Sequence, residues 1–210
     1  MKTPADYAAW YHTTRGRWIG QQEFSTLLKL FSPERGQSLL DIGCGTGYFS
    51  QHFQQIGLQV AGLDPDPAMI EFAREKESKI EYIEGNAEAL PFADNSFDYC
   101  SAITSLCFIS EPERALTEMW RVSRKAVVLG LLNRHSLLYY MKRNSKGYQG
   151  ARWDKLENVR QWIGRLSPAA NMDYRSAIWF ANGNKFSKLV EKLAPEHTSY
   201  AGFLAVILEK

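Results

Sequence analysis

Short apolar segments alternate with amphipathic segments along most of this chain. Runs of leucine, isoleucine, valine and aromatic residues are predicted to be buried strands at residues 38–42, 59–63, 80–83, 97–103 and 126–131. Helical spacing of apolar residues follows at about 47–55 and 67–76, and another helix is predicted to begin at Pro112. This regular alternation predicts an α/β fold, with an open, mostly parallel sheet and helices on both faces.

The pattern changes at both ends of the chain. An aromatic-rich segment at 7–11 precedes a predicted helix over 19–31, which has Phe24, Leu27 and Phe31 on one face. Beyond the fifth strand, a helical face is predicted from Trp153, Leu156, Val159, Trp162, Ile163 and Leu166. Two more strands are predicted at 175–180 and 199–208, with a helix at 185–193 between them.

A length of 210 residues is enough for one α/β domain and short for two. We therefore predict a single domain over residues 1–210. Its expected parts are an N-terminal lid and first helix (1–36), a cofactor-binding core (37–132), a substrate-side insertion (133–170) and closing strands (171–210).

The turn after the first predicted strand carries glycine at three alternate positions. Residues 41–47 read Asp-Ile-Gly-Cys-Gly-Thr-Gly, a pattern typical of a backbone that passes close to a ligand. A dinucleotide-binding turn has the spacing G-x-G-x-x-G, which would require glycine where Tyr48 stands. The turn therefore indicates a nucleoside ligand without a pyrophosphate.

Three further motifs follow this turn in order: Gly-Leu-Asp-Pro at 62–65, the run from 84 to 92, and Asn-Ser-Phe-Asp at 95–98. With them, residues 35–132 closely resemble class I S-adenosylmethionine (SAM)-dependent methyltransferases, whose motif I takes the form D-x-G-C-G-T-G. The rest of the chain resembles, more loosely, small bacterial methyltransferases of unassigned substrate. The resemblance implies a Rossmann-like doubly wound sheet of about seven mostly parallel strands, the last antiparallel, with SAM as cofactor and S-adenosylhomocysteine as product.

Candidate cofactor residues lie at the carboxyl ends of the predicted strands, where doubly wound sheets bind ligands. Asp64 is suited to accept hydrogen bonds from a ribose diol, although it could instead cap the next helix in competition with Asp66. By resemblance Asn86, usually Asp in the family, accepts a bond from the adenine amine; otherwise it is a turn residue. The resemblance gives Asp41 the role of organising the turn. The predicted set is Asp41, Gly43, Cys44, Gly45, Gly47, Asp64, Pro65, Met69, Asn86, Ala87 and Thr104.

The acceptor side is less defined, because methyl transfer from a sulfonium needs alignment more than a catalytic dyad. A general base is required only if the acceptor must lose a proton, and His135 is the candidate, with a structural role as the alternative. Arg15 or Arg17 could neutralise the SAM carboxylate, or lie on the surface. The N-terminal aromatics form a lid or pack on the core. The predicted pocket residues are Tyr7, Tyr11, Arg17, Asn133 and His135.

Charge does not indicate a nucleic-acid binder, since 25 Lys and Arg oppose 23 Asp and Glu. Residues 134–165 are nevertheless basic, which suggests an acceptor bearing carboxylate or phosphate, or simply a charged outer helix face. Residues 104–107 read Thr-Ser-Leu-Cys where methyltransferases of DNA base amines carry a tetrapeptide like N-P-P-Y. We therefore expect a small-molecule acceptor, with RNA as a weaker alternative and DNA excluded.

Three cysteines and four histidines show no metal-ligand spacing, so no metal site is expected. The first residues lack an apolar signal core and no run is long enough to cross a membrane, which favours the cytoplasm. Two rival functions stay open at this point: a nicotinamide-dependent oxidoreductase, and a SAM-binding regulatory module without transferase activity.

Overall fold

A computed structural model describes residues 3–76 and 79–210, and its centre is one seven-stranded sheet. The strands are β1 (Ser38–Ile42), β2 (Gln59–Asp64), β3 (Glu81–Glu84), β4 (Phe97–Ile103), β5 (Ser123–Leu132), β6 (Asn171–Ala177) and β7 (Phe203–Glu209). Their order is β3-β2-β1-β4-β5-β7-β6. Strands β1 to β5 are parallel, and β7 runs antiparallel to both β5 and β6. The predicted fold class is confirmed, including the antiparallel last strand.

Eight α-helices accompany the sheet in the described part of the chain. They are α1 (Pro4–His12), α2 (Thr14–Leu30), α3 (Tyr48–Gln55), α4 (Pro67–Lys76), α5 (Pro112–Val122), α6 (Leu137–Lys142), α7 (Leu156–Ile163) and α8 (Lys185–Leu193). None of these helices is both long and apolar enough to cross a lipid bilayer. Met1, Lys2, Glu77 and Ser78, which belong to the predicted lid and core, lie outside the described residues.

The core has two layers because successive strand side chains point to opposite faces of the sheet. Leu39 packs in one layer, with α2 and α3, and its neighbour Leu40 packs in the other, with α5 and α7. Both leucines are fully buried, and burial of such a side chain stabilises the fold by about 1.5–3 kcal/mol. Helix α7 of the predicted substrate-side insertion thus belongs to the core, through Val159 and Trp162.

The N-terminal segment is helical from Pro4, earlier than the predicted start at residue 19. Thr3 begins α1 with a capping box, in which its hydroxyl accepts from the Asp6 N–H and its own N–H donates to the Asp6 carboxylate. Thr13 then separates the helices, and its hydroxyl oxygen accepts from the Gly16 N–H at the start of α2. The starts of α1 and α2 are therefore set by capping hydrogen bonds, which the pattern of apolar residues does not reveal.

Boundaries also differ in the last third of the chain. Strand β6 ends at Ala177 rather than at residue 180, because Ile178 has φ +68° and the Glu191 carboxylate accepts from the N–H groups of Ile178 and Trp179. Helix α6 was not predicted. Trp153 and Leu166 are buried as expected, but they lie outside α7.

A partly buried ion pair fastens the segment after β5 to the turn after β4. The Arg152 guanidinium bonds the Asp154 carboxylate at 2.7 Å and also donates to the carbonyl oxygens of Leu106 and Ile109. Asp154 is almost fully buried, so its charge depends on this partner. Arg165 makes a similar pair with Glu113, but on the surface.

Replacing Arg152 with methionine is expected to lower the free energy of unfolding by about 3 kcal/mol, because it strands a buried carboxylate. The matched change Arg165→Met should cost less than about 1 kcal/mol, since exposed ion pairs contribute little. Urea unfolding followed by circular dichroism measures both. Equal losses in the two variants would contradict the structural role given to Arg152.

Candidate active site

The glycine turn between β1 and α3 is tied to the end of β2. The Leu63 carbonyl oxygen accepts from the N–H groups of Gly43 (2.7 Å) and Cys44 (3.1 Å). One residue further on, the Asp64 carboxylate accepts from the Gly45 N–H at 2.8 Å. The turn and this carboxylate therefore meet at the carboxyl edge of the sheet, which is where ligands bind in such folds.

Two glycines of the turn serve different purposes. Gly47 has φ +77°, and a Cβ there would lie 2.3 Å from the Tyr82 hydroxyl oxygen, so close packing requires glycine. Gly45 has φ +53°, yet the nearest atom to its notional Cβ is a ring carbon of Tyr7 at 3.8 Å. The Gly45 side of the turn is therefore its open face, with Tyr7 lying over it.

Asp41 supports the turn from below. Its carboxylate accepts from the hydroxyl groups of Ser50 in α3 (2.6 Å) and Ser101 in β4 (2.8 Å), and only 2% of the residue is exposed. Burial raises the pKa of Asp41 to about 6, against the opposing effect of the two hydroxyl bonds. Asp41 thus joins three elements and does not face a ligand, in keeping with the organising role predicted for it.

Asp64 has acceptor capacity left for a ligand. One oxygen accepts from the Asp66 N–H at 2.9 Å and the other from Gly45, whereas a carboxylate has about four acceptor positions. Burial raises the pKa of Asp64, and these two N–H bonds oppose that shift. At the start of α4 it is Asp66 whose side chain accepts, from the Ala68 N–H, so Asp64 is not needed as a cap.

The residues predicted to contact adenine follow β2 and β3 at this edge of the sheet. Pro65 is exposed and Met69 half-buried, which leaves apolar surface beside Asp64. The Asn86 side-chain oxygen accepts from the Glu88 N–H at 2.9 Å, so Asn86 has the turn role that was its alternative. A second lone pair on that oxygen is left for an adenine amine, and Ala87 is buried behind it.

Thr104 follows β4 in a strained conformation. Its φ is +52°, which is rare for a β-branched residue, and its N–H donates to the Gly130 carbonyl oxygen at 2.7 Å. Such strain is concentrated at functional sites. The side chain of Thr104 also lies next to the Tyr7 hydroxyl, beside the open face of the turn.

Cys44 differs from the other turn residues because its side chain points away from the open face. Its sulfur lies 2.9 Å from the notional Cβ of Gly62 in β2. Burial raises the pKa of the Cys44 thiol far above its ordinary value. Cys44 can therefore contact a ligand only through its backbone.

Tyr7 and Tyr11 approach the site from α1, which packs between α2 and α4 across the strand ends. Their ring centroids are 5.7 Å apart, edge to face, and Tyr11 stacks on Tyr48 at 3.7 Å. Tyr11 is buried, so it packs on the core, whereas Tyr7 is 37% exposed and covers the turn.

Comparison with known proteins finds similarity over the part of the chain that contains this turn. Residues 40–129 match the family model of the methyltransferase domain, which spans the glycine turn, Asp64 and Thr104. This part of the chain, 90 of its 210 residues, is therefore similar to the methyltransferase domain family. SAM is the cofactor of this family, and the open glycine face beside a carboxylate with free acceptor positions fits that molecule.

Proteins similar to this chain differ in the acceptors for which they are named. Malonyl-[acyl-carrier protein] O-methyltransferase of Pectobacterium atrosepticum is 38% identical over 103 residues, covering 49% of this chain and 41% of that protein. Demethylmenaquinone methyltransferase of Renibacterium salmoninarum is 42% identical over 89 residues, 42% of this chain and 38% of that protein. The chain thus spans about two fifths of the length of these curated relatives.

One solved structure resembles this chain over nearly its whole length. It is a SAM-dependent methyltransferase from Thermotoga maritima, described as a possible histamine N-methyltransferase. The TM-score is 0.78 at 25% identity, covering 98% of this chain and 95% of that one. The likeness therefore includes the N-terminal helices and the segment after β5.

Three predicted pocket residues are placed differently from expectation. Asn133 is 1% exposed; its amide nitrogen donates to the carbonyl oxygens of Ser199 and Ala201 and its oxygen accepts from the His135 N–H. Asn133 therefore connects two segments of the chain by hydrogen bonds and does not line a pocket. His135 is exposed, and no described contact joins its ring to the glycine turn. Arg17 is also exposed and donates to a backbone carbonyl of α1, that of His12.

Glu23 is the residue that the sequence analysis missed. It lies on the buried face of α2 between Ile19 and Leu27 and is 8% exposed, and no hydrogen bond or ion pair holds its carboxylate among the described residues. Burial raises the pKa of Glu23 to about 8. An acid at helical spacing within an apolar stripe was the available signal.

The protein is expected to lose stability as the pH rises from about 4.5 to about 8. Glu23 then holds more protons in the folded than in the unfolded chain, and each pH unit removes up to about 1.4 kcal/mol. Asp41 lowers the stability further as the pH rises from about 4 to about 6, because its pKa is also raised in the folded chain. Urea unfolding across this range should show a shallower decline above about pH 6 in Glu23→Gln. Parallel profiles for the two proteins would refute the raised pKa.

Proposed function

We propose that the protein transfers the methyl group of SAM to a small-molecule acceptor bound between the glycine turn and the N-terminal helices. The observation that carries the proposal is the open Gly45 face, bounded by the Asp64 carboxylate on one side and by Tyr7 above. This open face lies beside a carboxylate with free acceptor positions, which suits a nucleoside, and the turn lacks the third glycine of a pyrophosphate cradle.

When bound, SAM supplies a methyl group already activated by the sulfonium. The chain's own residues have to orient it and exclude water. Asp64 would accept hydrogen bonds from the ribose hydroxyls, with Pro65 and Met69 against the adenine. Tyr7, which lies over Gly45 and beside Thr104, would shield the reacting region from solvent.

The acceptor is proposed only as a class. The relatives are named for malonyl-[acyl-carrier protein], demethylmenaquinone and histamine, and their names include both O- and N-methylation. Arg152 and Arg165 of the basic segment are not expected to bind an anionic acceptor. Their guanidinium groups are already paired with Asp154 and Glu113. Neither DNA nor RNA is part of the proposal.

The proposed location is the cytoplasm. Cys44, Cys100 and Cys107 are all buried and unpaired. A reducing compartment preserves free thiols of this kind.

The direct test supplies purified protein with SAM carrying a labelled methyl group and a panel of small acceptors. Transfer of label to an acceptor, with formation of S-adenosylhomocysteine, is the expected result. Binding of SAM without transfer to any acceptor would favour a regulatory module. Tight binding of a nicotinamide dinucleotide without SAM binding would favour an oxidoreductase.

Asp64→Ala is expected to weaken S-adenosylhomocysteine binding at least tenfold, or about 1.4 kcal/mol, because the ribose hydroxyls lose their acceptor. Asp66→Ala is the matched control, since Asp66 is exposed and its backbone N–H is unchanged. Its affinity should stay within about twofold of the parent. Titration calorimetry at neutral pH measures all three proteins. Unchanged binding by Asp64→Ala would remove the ribose assignment.

A further inference from the structure

Glu23 has the surroundings of a binding group and not of a structural one. Glu23 lies on the buried face of α2 and the residue is only 8% exposed, and no lysine, arginine or histidine forms an ion pair with it within the part of the chain that the structure describes. Buried charges in proteins are normally paired or hydrogen-bonded, because desolvation is costly. An acid held without a counter-charge at a ligand cleft is therefore suited to receive one from a ligand.

Four tyrosines from three parts of the chain interact electrostatically with Glu23. Tyr48 begins α3, and its hydroxyl oxygen is 2.4 Å from the notional Cβ of Gly20, one helical turn before Glu23. Tyr11 stacks on this ring. The full set is Tyr7, Tyr11, Tyr48 and Tyr148. Tyrosine rings near a carboxylate can bind a cation both through the charge of the carboxylate and through the ring faces.

Two other buried polar atoms near Tyr148 also lack partners. The Nε of Arg15 and the indole nitrogen of Trp153 have no hydrogen-bond acceptor among the described residues. The Trp153 and Tyr148 rings are 5.1 Å apart, and Arg15 acts electrostatically on Tyr148. Arg15 and Glu23 lie on one face of α2, about 12 Å apart along its axis. Both unpaired atoms are hydrogen-bond donors, so a ligand group that pairs with them would have to supply an acceptor.

The tyrosine cluster adjoins the cofactor turn. Tyr7 contacts the open face of Gly45 and lies beside Thr104, and it also interacts electrostatically with Glu23. A ligand group beside Glu23 would therefore be next to the amino-acid end of the cofactor or to the acceptor.

We propose that Glu23 and the four tyrosines form a binding site for an ammonium group at the acceptor end of the cofactor cleft. The site rests on the proposed methyltransferase function and narrows its ligand chemistry. The ammonium group has two sources: an amine acceptor, or the α-amino group of SAM itself. In either case the carboxylate supplies the counter-charge and the tyrosine rings supply cation–π contacts.

Binding of an ammonium group at this site is expected to release a proton. The four tyrosines that interact with Glu23 have pKa values raised by burial, and the other groups that act on these tyrosines are Arg15, Arg17 and Cys107. Glu23 is the group of this cluster whose pKa is shifted to about 8. With its pKa at about 8, Glu23 is mostly protonated in the empty site at pH 7. An ammonium ligand should therefore displace about one proton to buffer.

The experiment is calorimetry on the full chain and two variants, in two buffers of different ionisation enthalpy. The probes are S-adenosylhomocysteine, 5′-methylthioadenosine (which lacks the amino-acid end), and 2-phenylethylamine added to protein saturated with S-adenosylhomocysteine. Glu23→Gln removes the charge, and Glu75→Gln is the matched control on the exposed face of α4. Circular dichroism verifies that both variants are folded.

If the ammonium belongs to the acceptor, Glu23→Gln should weaken 2-phenylethylamine binding at least tenfold and abolish its proton release. If it belongs to the cofactor, the same loss should appear for S-adenosylhomocysteine and not for 5′-methylthioadenosine. The site is refuted if the parent binds S-adenosylhomocysteine but no probe distinguishes Glu23→Gln from it. A parent that binds neither nucleoside refutes the proposed function instead.

Discussion

The backbone hydrogen bonds between the glycine turn and the end of β2 organise the rest of the site. Leu63 receives two N–H groups from the turn and Asp64 receives a third, so the turn cannot move without the carboxylate. Asp41 holds the same turn from beneath through hydroxyls of α3 and β4. The cofactor cleft is therefore rigid on its strand side, as electrostatic and steric recognition of a nucleoside requires.

The other side of the cleft is built differently. Helix α1 packs between α2 and α4, and its tyrosines meet those of α3 and of the segment before Trp153. Here the polar groups are only partly satisfied, with Glu23 the strongest case. A strand side held in place by hydrogen bonds within the protein and a helix side with unpartnered polar groups among the described residues are consistent with one face made for a constant cofactor and one made for a variable ligand.

Local sequence patterns predicted most of the fold, because the spacing of apolar residues reflects which side chains a strand or helix buries. Alternating apolar runs identified β1 to β5 closely, and the bounds of α8 agree with those expected. The patterns failed where a side chain acts at a distance, as at Ile178, where Glu191 ends the strand. They also failed at Asn133, which follows a strand end yet points its amide toward Ser199 and Ala201.

Sequence alone predicted the fold class, the glycine turn and the position of Asp64 after β2, because each depends on residue types at short, fixed spacing. The tertiary structure alone decided which polar residues are already bonded within the protein and which are left for a ligand. Asn133 and Arg152 proved to be engaged, whereas Glu23, on an apolar helix face, proved to have no partner among the described residues. That distinction depends on contacts between segments far apart in the chain, and no local pattern records them.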